Sequence, residues 1–123
     1  MDWNLPDSRI ENREKACMFE YGETVICVDP ALPLLRILGK KYTIMIIGIL
    51  GNRVAKKNFN EILRDIPFSS ATIISRRLKE LISLGIVEKF TGEDRILLYR
   101  LTDLGSRVRE SLQPLLMNLQ SIK

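Results

Sequence analysis

Residues 58–101 read NFNEILRDIPFSSATIISRRLKELISLGIVEKFTGEDRILLYRL, and along them the hydrophobic period changes from that of a helix to that of a strand. Phe59, Ile62, Leu63 and Ile66 recur at i, i+3, i+4 and i+7, which predicts a short amphipathic helix over 58–66, stopped by Pro67. Three residues later Ser69 or Ser70 offers an N-cap for a second helix that runs to Leu84 and ends at Gly85. Its inner stripe is Ala71, Ile74, Leu78, Leu81 and Ile82, and opposite it lie Thr72, Ser75, Arg76 and Lys79 at the same helical spacing. Ile86–Thr91 and Ile96–Leu101 follow as β-rich runs joined by Gly92-Glu93-Asp94-Arg95, a four-residue hairpin connection. Helix, short turn, helix and hairpin, in that order, make a winged helix-turn-helix.

The flanks extend the pattern. Lys41–Leu50 is apolar nearly all round, and its length of about three turns favours a buried helix over a buried strand, with Tyr42 in the core. Upstream, Asp29 caps a helix from Pro30 to about Leu38, with Pro30 in the first helical position and Gly39 as the stop. Gly22–Val28 is extended, and Ser8–Glu20, with alternating charges, is a helix carrying Ile10 and Cys17 on one side. Downstream, Thr102 caps a last helix whose stripe is Leu104, Val108, Leu112, Leu115, Leu116 and Leu119; Pro114 should kink or break it. The expected fold is mainly α with a small β-hairpin. Residues 1–28 would be an arm or helix for dimerisation, 29–105 the winged helix-turn-helix, and 106–123 a C-terminal dimerisation helix.

A chain of 123 residues, 46% of them hydrophobic, is one domain, able to hold a core without disulfides or a metal. With no histidine, a Ser-His-Asp or Cys-His nucleophilic site, a His-rich zinc site and a His-ligated haem are all excluded. The two cysteines, Cys17 and Cys27, do not complete a four-cysteine zinc site. No catalytic, cofactor or metal site is expected, and no enzyme. The absence of a disulfide framework, of a long apolar run and of a basic-then-apolar leader sets a cytoplasmic location as the expectation.

The formal net charge is +4, but it is unevenly spread: −4 over residues 1–35, +8 over 36–79 and zero over 80–123. A positive block inside a foldable segment points to a polyanionic partner. The second helix of the motif fits the major groove of double-stranded DNA. At its N-terminus Ser69, Ser70 and Thr72 are placed to meet a phosphate or a base edge. Ser75, Arg76 and Lys79 lie farther along the same face, where Arg76 and Lys79 have the donors to read guanine N7 and O6. Arg95 in the hairpin would meet the minor groove or a phosphate; Lys40, Lys41, Arg53, Lys56 and Lys57 would contact the backbone without reading sequence. Arg77, beside Glu80 and between the two faces, reads as structural, and Lys56-Lys57 as a solvated loop. Cys27 is the candidate redox residue, although Val25, Ile26 and Val28 around it imply burial, which argues against a reactive thiol. The leucine stripe of the last helix has little else in so short a chain to cover it, which points to a homodimer, with Trp3 and Phe19 serving the same interface.

From Asp29 to Gly105 the chain resembles the HxlR-type transcriptional regulators, winged-helix relatives of the MarR group. The resemblance rests on Pro30, Leu38-Gly39-Lys40-Lys41-Tyr42-Thr43, Phe59-Asn60-Glu61-Ile62 and Pro67. It continues through Arg77-Leu78-Lys79-Glu80-Leu81, Leu84-Gly85-Ile86-Val87-Glu88-Lys89 and Tyr99-Arg100-Leu101-Thr102-Asp103-Leu104-Gly105. It implies a homodimeric DNA-binding regulator that responds to a stress or a small molecule. Asp29 falls where some members carry a redox cysteine, and the shortened wing has two acids, Glu93 and Asp94, at its tip. The alternative is a winged-helix module that captures a protein partner through those acids.

Overall fold

The computed structural model describes residues 18–53 and 56–122. The chain divides into two compact units, residues 1–36 and 37–123.

In the first unit, β1 (Met18–Tyr21) pairs antiparallel with β2 (Thr24–Cys27), Phe19 opposite Ile26 and Tyr21 opposite Thr24. Residues 18–20 are therefore strand, where the sequence pattern predicts the end of a helix. The deciding feature is local: Gly22 has φ 61°, the positive value that a two-residue hairpin turn with glycine in its first central position requires. The rest of that expected helix, residues 8–17, lies outside the described residues, as do Trp3 and Cys17. All four residues of β2 are exposed, Cys27 included, which corrects the expectation of burial. A two-stranded ribbon supplies no second layer of its own to cover either face.

The next helix, α1, spans Pro33–Leu38 and not residues 30–38. Asp29 takes the Ala31 N–H on Oδ1 at 2.9 Å and the Leu32 N–H on its carbonyl at 3.1 Å. These two bonds close a turn, so Pro33 and not Pro30 occupies the first helical position.

The second unit carries the core. α2 (Thr43–Ile49) confirms the helical reading of its apolar run. α3 (Phe59–Asp65) starts on a capping box in which Asn58 accepts the Glu61 N–H while Glu61 accepts the Asn58 N–H. α4 (Ala71–Ser83) is capped by Ser70. β3 (Val87–Thr91) and β4 (Leu97–Leu101) form the antiparallel wing, with Glu88 opposite Arg100, joined through a single 3₁₀ turn at Glu93–Arg95. α5 (Asp103–Leu119) closes the chain.

Ile46, Ile47, Leu50, Ile62, Ile66, Ile74, Leu78, Leu81, Ile86 and Val87 are buried together, so α2, α3, α4 and the root of β3 share one core. Each such side chain contributes roughly 1.5–3 kcal/mol of apolar transfer. Of the predicted inner stripe of α4, Ile74, Leu78 and Leu81 are buried, Ile82 is half-buried, and Ala71 is exposed in the first turn.

α5 begins against the start of the wing. Thr102 accepts the Gly105 N–H at 3.0 Å and donates its hydroxyl to the Gly85 carbonyl at 2.5 Å. A Cβ on Gly105 would lie 2.0 Å from the Ile86 carbonyl oxygen, so this backbone approach demands glycine. The helix continues through Pro114 without the predicted break. Proline leaves the Glu110 carbonyl without its helical donor, at an exposed turn where solvent can substitute. Among the described residues no helix is long and apolar enough to cross a membrane.

Candidate nucleic-acid interface

The interface is built on α4. The Ser70 hydroxyl accepts the Ile73 N–H at 3.4 Å, and Ser69 donates to the Leu63 carbonyl at 3.5 Å. Both serines expected to meet DNA are thus also structural, fixing the direction in which the helix starts. Thr72, Arg76 and Lys79 are exposed and Ser75 is half-buried; together the four line one open depression of about 470 Å³. The spacing predicted from sequence is met in space, because positions 72, 75, 76 and 79 share a face opposite Ile74, Leu78 and Leu81. Among the described residues neither Arg76 nor Lys79 is committed to an ion pair.

Arg77, one residue away, is 8% exposed. Its Nε donates to the Lys41 carbonyl at 3.2 Å and its Nη1 donates to Glu80. Glu80 also accepts Lys40 Nζ at 3.0 Å. Burial pushes the Glu80 carboxyl up, but the hydrogen bonds and charges of Lys40 and Arg77 outweigh it and hold its pKa below the usual carboxylate value. The cluster fastens the chain before α2 to the middle of α4, and it half-commits Lys40, one of the expected phosphate contacts.

The other expected contacts divide. Lys41 is exposed, with its ammonium 5.0 Å from the centre of the Tyr42 ring. Tyr42 is half-buried, with its hydroxyl donating to the Phe68 carbonyl at 3.3 Å. Arg53 and Lys56 are exposed, Lys56 lying 5.8 Å from the Phe90 ring. Lys57 departs from expectation. It is 8% exposed, its ammonium pairs with Asp65 at 2.5 Å, and its backbone exchanges hydrogen bonds with Tyr99 at 3.1 and 2.8 Å. It is an anchor between α3 and the wing, neither a solvated loop residue nor an available cation. Arg95 is exposed at the wing tip beside exposed Glu93 and Asp94, with Asp94 and Arg95 both at positive φ. Cys27 lies in the other unit, on β2.

Residues 37–122 match the family described as HxlR-like helix-turn-helix. The chain belongs to this family. Among solved structures, a possible HxlR-family transcriptional factor from Thermoplasma volcanium GSS1 is 48% identical, with a TM-score of 0.79 over 85% of this chain and 94% of its own. The reduced form of the transcriptional regulator YodB from B. subtilis is 30% identical, with a TM-score of 0.56 over 73% of this chain and 88% of its own. A MarR-family protein from Porphyromonas gingivalis W83, 24% identical, shares the fold with a TM-score of 0.58 over 84% of this chain and 92% of its own. No protein of curated function matches the chain. The winged-helix regulator fold expected from the residues is thereby shown.

Several groups that shape this HxlR-family surface carry no local sequence signal. Arg109 reaches from α5 to the end of α2, donating to the Gly48 carbonyl at 2.8 Å and to Asn52 Oδ1 at 3.1 Å. It thereby adds a second donor to the Gly48 carbonyl, which also accepts the Gly51 N–H, and ties α5 to the end of α2. Arg100 donates to Glu88 at 2.5 Å across the wing and lies 4.1 Å from the Phe90 ring. Among the described residues no cluster of His, Cys, Asp and Glu could hold a metal ion.

Proposed function

We propose that the protein is a sequence-specific, double-stranded DNA-binding transcriptional regulator that acts as a homodimer in the cytoplasm. The observation that carries this reading is the outer face of α4: among the described residues the side chains of Thr72, Ser75, Arg76 and Lys79 are uncommitted, while the opposite face of the same helix is core. Laid in a major groove, that face brings two cations and two hydroxyls to base edges. Lys40, Lys41, Arg53 and Lys56 add phosphate contacts, which set affinity and orientation. At the wing, Arg95 touches the backbone while Glu93 and Asp94 keep the tip out of the groove by repulsion from phosphate.

Dimerisation is supported by α5. Leu104, Leu115 and Leu119 are exposed along one stripe of it, an apolar surface that a second copy would cover. An effector is proposed by analogy with YodB, which has been solved in reduced, diamide-treated and quinone-bound forms. In this chain exposed Cys27 is the thiol at which an oxidant would act, and a small-molecule effector is the other form such regulation takes.

Selection of bound fragments from randomised duplex DNA by the purified protein tests the reading. The expected product is a two-fold symmetric site with half-sites about 10 base pairs apart, or a multiple of it. The log of its binding constant should fall linearly with log salt. Enrichment of no sequence, or of asymmetric single sites by a monomer, overturns the reading.

A further inference from the structure

Pro67 and Phe68 form the turn between α3 and α4, closed by the Ser69 N–H on the Ile66 carbonyl at 3.3 Å. Proline in the second position and positive φ in the third are the marks of a type II turn, whose third position favours glycine. This chain places phenylalanine there, at φ 62°. The residue suffers twice: its Cβ crowds the backbone in the left-handed region, and it is fully exposed, with no ring contact among the described residues. Tyr42 holds the Phe68 carbonyl through its hydroxyl and carries the exposed Lys41 ammonium over its ring, which brings a cation near the turn. Two residues after Phe68 comes Ser70, the cap of α4, and two further on Thr72, the first residue of its outer face. A strained, exposed aromatic near a cation and immediately before the helix whose outer face is proposed to read bases contributes nothing to the core and is close to what that face would meet.

We infer that Phe68 makes an apolar contact with DNA at the edge of the groove that α4 enters, packing on a thymine methyl group or a deoxyribose. The inference rests on the DNA-binding reading above. Phe68 adds sequence preference or grip without charge, beyond what the serines and cations of α4 supply.

The test compares wild type, Phe68→Ala and Phe68→Gly as full chains on the selected duplex, with binding followed across a salt series and melting measured in parallel. Loss of one apolar groove contact should weaken both variants about ten-fold. The slope of log K against log salt should stay that of wild type, because no cation is removed. Phe68→Gly should melt no lower than wild type, since glycine relieves the positive φ. Weaker binding by a variant of undiminished stability is a signature that a packing role does not produce. Replacing each thymine of the site by uracil separates the two contacts: a loss seen with wild type and absent in Phe68→Ala assigns the methyl group, and no loss assigns the sugar. Wild-type affinity in both variants overturns the inference alone, as does a shift in self-association with DNA affinity per dimer intact. Failure of wild type to bind any duplex overturns the DNA-binding reading with it.

Discussion

Arg76 and Arg77 are consecutive and chemically identical, and the fold gives them opposite work. Arg76 stands in water on an uncommitted face; Arg77 is buried between a backbone carbonyl and Glu80. One residue turns a helix by about 100°, which here is the difference between a group available to a partner and one that holds the protein together. The comparison extends to the whole helix. Its inner side, Ile74, Arg77, Leu78 and Leu81, should govern stability, and its outer side, Thr72, Ser75, Arg76 and Lys79, should govern binding with little effect on stability.

The strongest way to break that division is to truncate each side in turn. Leu78, 2% exposed in the centre of the core, should lose about 3 kcal/mol of unfolding free energy on Leu78→Ala, read as a large drop in the denaturation midpoint. On the outer side, Arg76→Ala combined with Lys79→Ala should remove sequence preference worth roughly 1–3 kcal/mol per guanine contact. It should move stability by no more than about 0.5 kcal/mol. A double variant that still selects the wild-type site would show that the recognition face lies elsewhere. The two arginines sharpen the comparison further. Arg77→Ala should cost about 1–3 kcal/mol of stability, because it strips buried hydrogen bonds from Glu80 and the Lys41 carbonyl. Arg76→Ala should cost almost none. Equal melting temperatures for the two single variants would sink the division at its most specific point.

How far each side was legible follows from the range of its interactions. The outer face and most of the inner stripe depend on helical period alone, so Thr72, Ser75, Arg76, Lys79, Ile74, Leu78 and Leu81 are read correctly from spacing. Caps are equally local: Thr102 falls where the sequence puts it, Ser70 is the one used of the two serines offered, and Asn58, read as the first helical residue, is the cap before it. Sequence and fold part where tertiary pairing or turn chemistry decides. Lys57 looks like its neighbour Lys56 until Asp65 and the backbone of Tyr99 capture it. The reach of Arg109 to Gly48 spans 61 positions, and no periodicity reports it. The β1–β2 hairpin did carry a signal, Tyr21-Gly22-Glu23-Thr24 with glycine first in a two-residue loop, which the alternating charges upstream obscured. Pro30 and Pro33 are equally good helix starters in sequence, and only the turn closed by Asp29 selects the second.

The smallest expected effect tests the ionic part of the inner side. Glu80 has its folded-state pKa lowered, since Lys40 and Arg77 favour its charged form more than burial opposes it. An acid whose pKa is depressed on folding stabilises the protein above its unfolded pKa, and that stabilisation is lost as pH falls through the folded value. Glu80→Gln should therefore be less stable than wild type at neutral pH, and the gap should narrow below the ordinary carboxylate range, where wild-type Glu80 also becomes neutral. A gap that stays constant from neutral pH into acid would mean that shape and not charge holds Lys40 and Arg77 in place. Arg76 and Lys79 touch no carboxylate among the described residues, so alanine at these positions should leave the acid limb of the stability curve where it is. The same acidification then separates the two sides of the helix without reference to DNA.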